Sequence, residues 1–198
     1  KLNLKVTTED IILSQHPTID YLKKNNFRRI FLLGNRSLKE EFKSHGFILT
    51  DENPEILVLA FDQELTYDKL VKAGYFLQDE LPYIATHLDD RCPTQRGFIP
   101  DAGGIAALLE KTSGRIPRVF GKPNKEMLTF KLDNLGISKS DAIMFGDRLY
   151  TDMKMGRNAH VDTCCVLSGE TTMQMIKESN TRPTYIIEGV WELTKLIN

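Results

Sequence analysis

Residues 142–152 read Ala142-Ile143-Met144-Phe145-Gly146-Asp147-Arg148-Leu149-Tyr150-Thr151-Asp152. Four apolar residues in a row, halted by Gly-Asp, predict a short strand buried on both faces that ends in a tight turn. In an open parallel α/β sheet, ligands bind beyond the carboxyl ends of the strands, which is where this turn sets Asp147. Asp152 follows at the entrance of a helix expected to run through Met153 to Ala159. Two carboxylates on one rigid turn repel each other, and a hard divalent cation relieves that repulsion. Magnesium suits such a pair because it takes oxygen ligands, keeps several waters and is completed by substrate phosphate. The plainer alternative is that Asp147 caps the following helix and Asp152 is a solvated acid in its first turn.

Outward from this stretch, apolar runs alternate with helical periodicity. Toward the N-terminus, Ile11-Ile12-Leu13 reads as a short buried strand, followed by a helix from about Pro17 that carries Ile19, Leu22 and Phe27. Arg29 to Gly34 is the next strand, and Gly34-Asn35-Arg36-Ser37 turns it into a helix, Leu38 to His45, stopped by Gly46. Ile56 to Phe61 is the clearest buried strand, backed by a helix from Thr66 to Asp79 with Leu70, Val71, Phe76 and Leu77 on one face. Pro82 to Thr86 is a strand that empties into a polar loop, His87 to Thr94. A small-residue helix follows Pro100-Asp101-Ala102-Gly103-Gly104, and Val119-Phe120 is a brief strand. An amphipathic helix from Lys125 to Leu135 leads to the Asp147 strand. Val161 to Leu167 and Thr184 to Ile187 are the last strands, and a closing helix from Val190 to Ile197 carries the single Trp. Strands and helices in alternation predict an α/β fold with mostly parallel sheets. The candidate domain boundaries fall near Pro17-Thr18 and Pro117-Arg118.

Composition narrows the function classes. The 198 residues are 41% hydrophobic and 27% charged, an ordinary globular balance rather than a disordered one. A net charge of -1 and the lack of a long basic tract give no footing for nucleic acid. The longest apolar runs are too short to cross a bilayer. Of three cysteines, Cys92 stands alone and Cys164-Cys165 sit in an apolar run, which argues against a disulfide framework and for a reduced core. A cytoplasmic location, with no membrane partner, is the expectation.

Three segments in this order resemble the haloacid dehalogenase (HAD)-like phosphatases, in the branch related to NagD, p-nitrophenylphosphatase and phosphoglycolate phosphatase. They are Thr86-His87-Leu88-Asp89 with Arg96-Gly97 to Pro100, then Gly121-Lys122-Pro123, then Gly146-Asp147-Arg148-Leu149-Tyr150-Thr151-Asp152. The resemblance implies a partial Rossmann-like core, residues 1–17 and 118–198, with an inserted α/β cap, residues 18–117. It implies a magnesium-dependent phosphomonoester hydrolase acting on small phosphorylated metabolites such as sugar phosphates, phosphoglycolate or pyridoxal phosphate. Lys122 would neutralise the phosphoryl group and the acyl-phosphate intermediate. Asp147 would bind magnesium, and Asp152 would hold a metal-bound water or orient Lys122. Thr151 is expected to cap the helix rather than touch substrate. Asp89, His87 and Arg148 would bind substrate, Asp89 from the cap loop where substrate choice is made. Dimerisation through the cap is a further implied property.

The sequence departs from the family pattern in one large respect. Such enzymes attack with the first Asp of an Asp-x-Asp on an N-terminal strand, and no Asp-x-Asp follows an apolar strand here. The nucleophile is therefore expected outside this chain, with Lys1 an internal residue of a longer protein and the chain as given inactive. Smaller departures are His87 where the family often has Asn, Asp101 where it often has Gly, and His160 where Gly is common. His160 reads as a surface-turn residue. The rival readings are a non-catalytic fragment or paralogue serving small-ligand binding or dimerisation, and a nucleotide-binding α/β domain. The second is weak because no Gly-x-Gly-x-x-Gly or Walker pattern follows a strand.

Overall fold

The computed structural model describes residues 5–193. They form two compact units, Ser14–Gly121 and, separately, residues 5–13 with 122–193.

The first unit comprises α1 (Gln15–Lys24), β1 (Arg29–Leu33), α2 (Arg36–Ser44), β2 (Ile48–Leu49), β3 (Ile56–Leu59), α3 (Tyr67–Gln78), β4 (Tyr83–Ala85), β5 (Arg91–Thr94), β6 (Gly97–Pro100), α4 (Ala102–Ser113) and β7 (Arg118–Val119). Five strands make a wholly parallel sheet in the order β2-β1-β3-β4-β7. Period-two alternation sends Phe31, Leu33, Leu57 and Leu59 to one face, packed on Ala73, Leu77, Ile105 and Leu109 of α3 and α4. Ile30, Leu32, Ile56 and Val58 go to the other face, against Ile19, Leu22, Phe42 and Phe47. Each such buried side chain contributes about 1.5–3 kcal/mol of transfer free energy.

Local chemistry sets the helix ends. The Asn35 side chain accepts from Leu38 N at α2, and that of Thr66 accepts from Lys69 N at α3. Gly46, at φ +89°, takes the left-handed turn after α2.

The second unit comprises α5 (Glu126–Leu135), β8 (Ile143–Gly146), a π-helical turn (Leu149–Met153), α6 (Lys154–Ala159), β9 (Asp162–Val166), α7 (Met173–Glu178), β10 (Tyr185–Ile187) and a 3-10 turn (Val190–Leu193). Its parallel sheet runs β10-β9-β8. The fold is thus mixed α/β with mainly parallel sheets, as the alternation of strands and helices predicts.

Three local expectations are corrected. Ile11-Ile12-Leu13 is not a buried strand: the three residues have no strand conformation, and Ile11 and Leu13 are about half exposed. It follows a 3-10 turn, Thr8–Asp10, closed by Thr7 N and Oγ1 donating to Asp10 Oδ2 at 2.7 and 2.9 Å. Apolar residues become a strand only where a sheet edge accepts their hydrogen bonds. The polar loop His87 to Thr94 instead turns into a hairpin, with Arg91–Thr94 antiparallel to Gly97–Pro100. Both of its faces are largely exposed, so it shows no apolar alternation, and a ribbon with open edges tolerates Pro93. β8 is not buried on both faces, since Ile143 is 42% exposed at the edge of its sheet. The closing helix begins as the Val190–Leu193 3-10 turn, and the remainder expected to Ile197 lies outside the described residues.

Candidate active site

The end of β8 shapes the site through its backbone. Arg148 O accepts from Asp152 N at 3.0 Å and from Met153 N at 3.1 Å, the second an i to i+5 bond that widens the helix start into a π turn. That turn folds Asp152 back onto the strand end. A Cβ on Gly146 would lie 2.2 Å from Asp152 Cβ, so the approach requires glycine. Asp152 is consequently buried, at 4% exposure, rather than solvated. Its Oδ2 accepts from Arg148 N at 3.3 Å. Its Oδ1 takes no hydrogen bond and instead meets Lys122 Nζ at 2.7 Å, an ionic contact outside hydrogen-bond angles. A buried carboxylate is costly without a countercharge, which Lys122 supplies from a side chain 41% exposed. The outer side of the ammonium stays open to water and to an incoming anion.

Asp147 does not cap the following helix. Its Oδ2 accepts from Glu170 N at 3.0 Å, and its backbone carbonyl accepts from Thr171 N at 3.1 Å and Thr171 Oγ1 at 2.6 Å. Among the described residues, no hydrogen bond reaches Asp147 Oδ1. The turn after β9 presses so close that a Cβ on Gly169 would fall 2.2 Å from Asp147 Oδ2. Arg148 Nε lies 2.8 Å from Glu170 Oε2, and the Tyr150 hydroxyl donates to the same oxygen at 3.3 Å. Sequence reasoning missed Gly169, Glu170 and Thr171. Their signal was positional, because they follow the strand next to the one that ends at Asp147. Thr151 does not stand at the N-cap of α6, which starts at Lys154 with Met153 at its N-cap and no side-chain cap. The π turn displaces Thr151 from the capping position.

Beneath this turn, Leu149, Met153, Cys165 and Ile176 pack together. Burial pushes the Cys164 and Cys165 thiols up, so both remain protonated core groups. His160 is exposed at φ +58°, closing α6 in the left-handed conformation that favours glycine.

In the other unit, β4 delivers His87 and Asp89. One His87 ring nitrogen lies 2.9 Å from Thr86 Oγ1 and the other 3.1 Å from Asp101 Oδ1. Asp101 is buried and caps α4 by accepting from Ala102 N at 2.6 Å. Asp89 O accepts from Gly103 N at 2.8 Å, leaving its exposed carboxylate presented by a turn fixed on the start of α4. Ligand atoms of His87, Asp89 and Asp101 lie within 4.8 Å of one another. Both imidazole nitrogens already have partners, so this trio acts as a brace for the loop rather than as an open metal cage. No helix among the described residues is long and apolar enough to cross a membrane.

The HAD-hydrolase-like family model matches residues 119–193, the segment holding Lys122, Asp147 and Asp152. An acid sugar phosphatase of Staphylococcus haemolyticus is 31% identical over 187 residues, 93% of this chain and 71% of that protein. The chain belongs to the haloacid dehalogenase-like phosphatases. Among solved structures of these phosphatases, 4-nitrophenylphosphatase of Thermotoga maritima superposes with a TM-score of 0.90 at 39% identity, covering 98% of this chain and 75% of that one. NagD of E. coli K-12 gives 0.89 at 30% identity, covering 96% and 75%. Glycerol phosphate phosphatase Rv1692 of Mycobacterium tuberculosis, solved in complex with magnesium, gives 0.88 at 25% identity, covering 96% and 60%. The chain therefore sits in the NagD and p-nitrophenylphosphatase group of the HAD-like phosphatases.

Proposed function

We propose that this chain carries the lysine and metal-facing part of a magnesium-dependent phosphomonoesterase for small phosphorylated metabolites, working through an aspartyl-phosphate intermediate whose nucleophilic Asp lies outside the chain. The observation that carries the reading is the Lys122 ammonium held 2.7 Å from the buried Asp152, on the π turn (Leu149–Met153) that follows Asp147 in the chain. The donor set fits a hard cation: among the described residues, no hydrogen bond reaches Asp147 Oδ1 or the buried Asp152 Oδ1. Asp147 would hold magnesium directly and Asp152 through its ordered shell. When bound, the ion supplies positive charge to the phosphoryl oxygens.

The rest of the work belongs to side chains of this chain. Lys122 is a compact point charge whose exposed side neutralises a phosphoryl oxygen, and Asp152 keeps that charge aimed. Asp89 would choose among substrates from a loop that the Thr86–His87–Asp101 chain of hydrogen bonds holds in place. Sugar phosphates, the substrate class in the name of the staphylococcal relative, are the first class to assay.

The test is Asp147→Asn in the protein, assayed on p-nitrophenyl phosphate with magnesium. Turnover is expected to drop more than about 100-fold with an unchanged circular dichroism spectrum, since loss of an indirect metal partner alone costs about 10–100-fold. Activity near the wild-type value in that variant would sink the metal assignment.

A further inference from the structure

We infer that Glu170 is a positioning residue which, with Arg148 and Tyr150, clasps the turn after β9 over the end of β8 and so fixes which oxygen of Asp147 faces a cation. The inference rests on the metal reading of Asp147 proposed above. Two layers of contact build the clasp. In the backbone layer, Glu170 N occupies Asp147 Oδ2 at 3.0 Å and Thr171 holds the Asp147 carbonyl twice, at 3.1 and 2.6 Å. In the side-chain layer, Arg148 Nε at 2.8 Å and the Tyr150 hydroxyl at 3.3 Å converge on one oxygen, Glu170 Oε2. The residues flanking Asp147 on its C-terminal side thus grip the residue that grips Asp147 itself.

The consequence is geometric. With Oδ2 spent on a backbone N–H and Gly169 backbone filling the space beside it, the carboxylate cannot rotate to offer both oxygens. It is left as a one-oxygen ligand, the mode that suits magnesium with its tight octahedral shell. The Nε of Arg148 is committed to Glu170, which leaves its two η nitrogens for the substrate contact that the family resemblance implies. The Arg148–Glu170 pair is also half exposed, at 51% and 39%, and pairs of that kind add little to global stability. A clasp of this sort should therefore register in metal affinity and barely in unfolding.

The experiment measures magnesium affinity of the protein by isothermal titration calorimetry, with thermal unfolding in parallel. Glu170→Ala is expected to weaken magnesium binding about tenfold and to move Tm by less than about 2 °C. Glu170→Gln keeps an acceptor for Arg148 and Tyr150 and should recover most of the affinity. Gly169→Ala, whose methyl needs the space of Asp147 Oδ2, should lose at least as much as Glu170→Ala. Wild-type affinity in Glu170→Ala overturns the inference and leaves the metal reading intact. Magnesium binding that survives Asp147→Asn unchanged, or is absent from the wild type, overturns the metal reading and the inference with it. Should Glu170→Ala not fold, Tyr150→Phe, which deletes one donor and no backbone contact, decides the matter: a loss of about two- to threefold supports the clasp and no loss refutes it.

Discussion

Two strands that read almost alike in the sequence, Ile56–Leu59 and Ile143–Gly146, end in different surroundings. β3 is buried at every position, whereas no residue of β8 is fully buried. β3 lies between β1 and β4 with helices on both faces, while β8 closes one side of the described three-stranded sheet. Apolar composition permits burial on both faces, but neighbours decide whether it happens. The carboxylates that follow these strands differ in the same way. Asp62, three residues past β3, has a fully buried side chain, paired with Lys69 Nζ at 2.8 Å and accepting from Glu64 N at 2.9 Å. Asp147, directly after β8, keeps one oxygen without a hydrogen bond. A carboxylate whose partners are complete serves the fold, and one left incomplete at the end of a strand is available for chemistry.

That contrast is open to measurement. The largest effect is expected from Leu57→Ala in β3, about 3–4 kcal/mol of lost stability by urea unfolding, against less than about 1 kcal/mol for Ile143→Ala in β8. Equal losses would break the comparison. Asp62→Asn should come next, at about 2–3 kcal/mol, because it leaves the Lys69 ammonium, 20% exposed, without its countercharge. Asp147→Asn should stay within about 1 kcal/mol of the wild type while abolishing turnover, since an amide oxygen can still accept from Glu170 N. A large destabilisation by Asp147→Asn would recast that residue as structural.

The smallest effect concerns pH at the other end of β1. Backbone N–H groups of Arg28 and Arg29 donate to Glu55 Oε2 at 2.6 and 3.0 Å and hold its carboxyl below the ordinary value of 4.5. The folded state therefore gives up this proton more readily than the unfolded chain. The resulting stability is complete above about pH 4.5 and fades as pH falls through the lower folded value. The Glu55 carboxyl resonance should titrate with a midpoint below 4.5, and the stability gap to Glu55→Gln should close on acidification. A midpoint at or above 4.5 would remove the strand-end anchor.

The sequence by itself determined the features that depend on near neighbours in the chain. Apolar runs marked β1, β3, β4 and β9, and Asn35, Thr66 and Gly46 marked helix ends, because caps and periodicity act within a turn or two. The Gly-Asp-Arg-Leu-Tyr-Thr-Asp string marked the site and the family for the same reason. Tertiary structure alone decided the rest. The edge position of β8 depends on which strands lie beside it, and whether Ile11–Leu13 becomes a strand depends on whether a sheet edge meets it. The exposed hairpin around Pro93 has no apolar pattern to read. The hold of Glu170 on Asp147 spans 23 residues of chain. Contacts of that range arise only when two strand ends are brought side by side, so no window of sequence contains them.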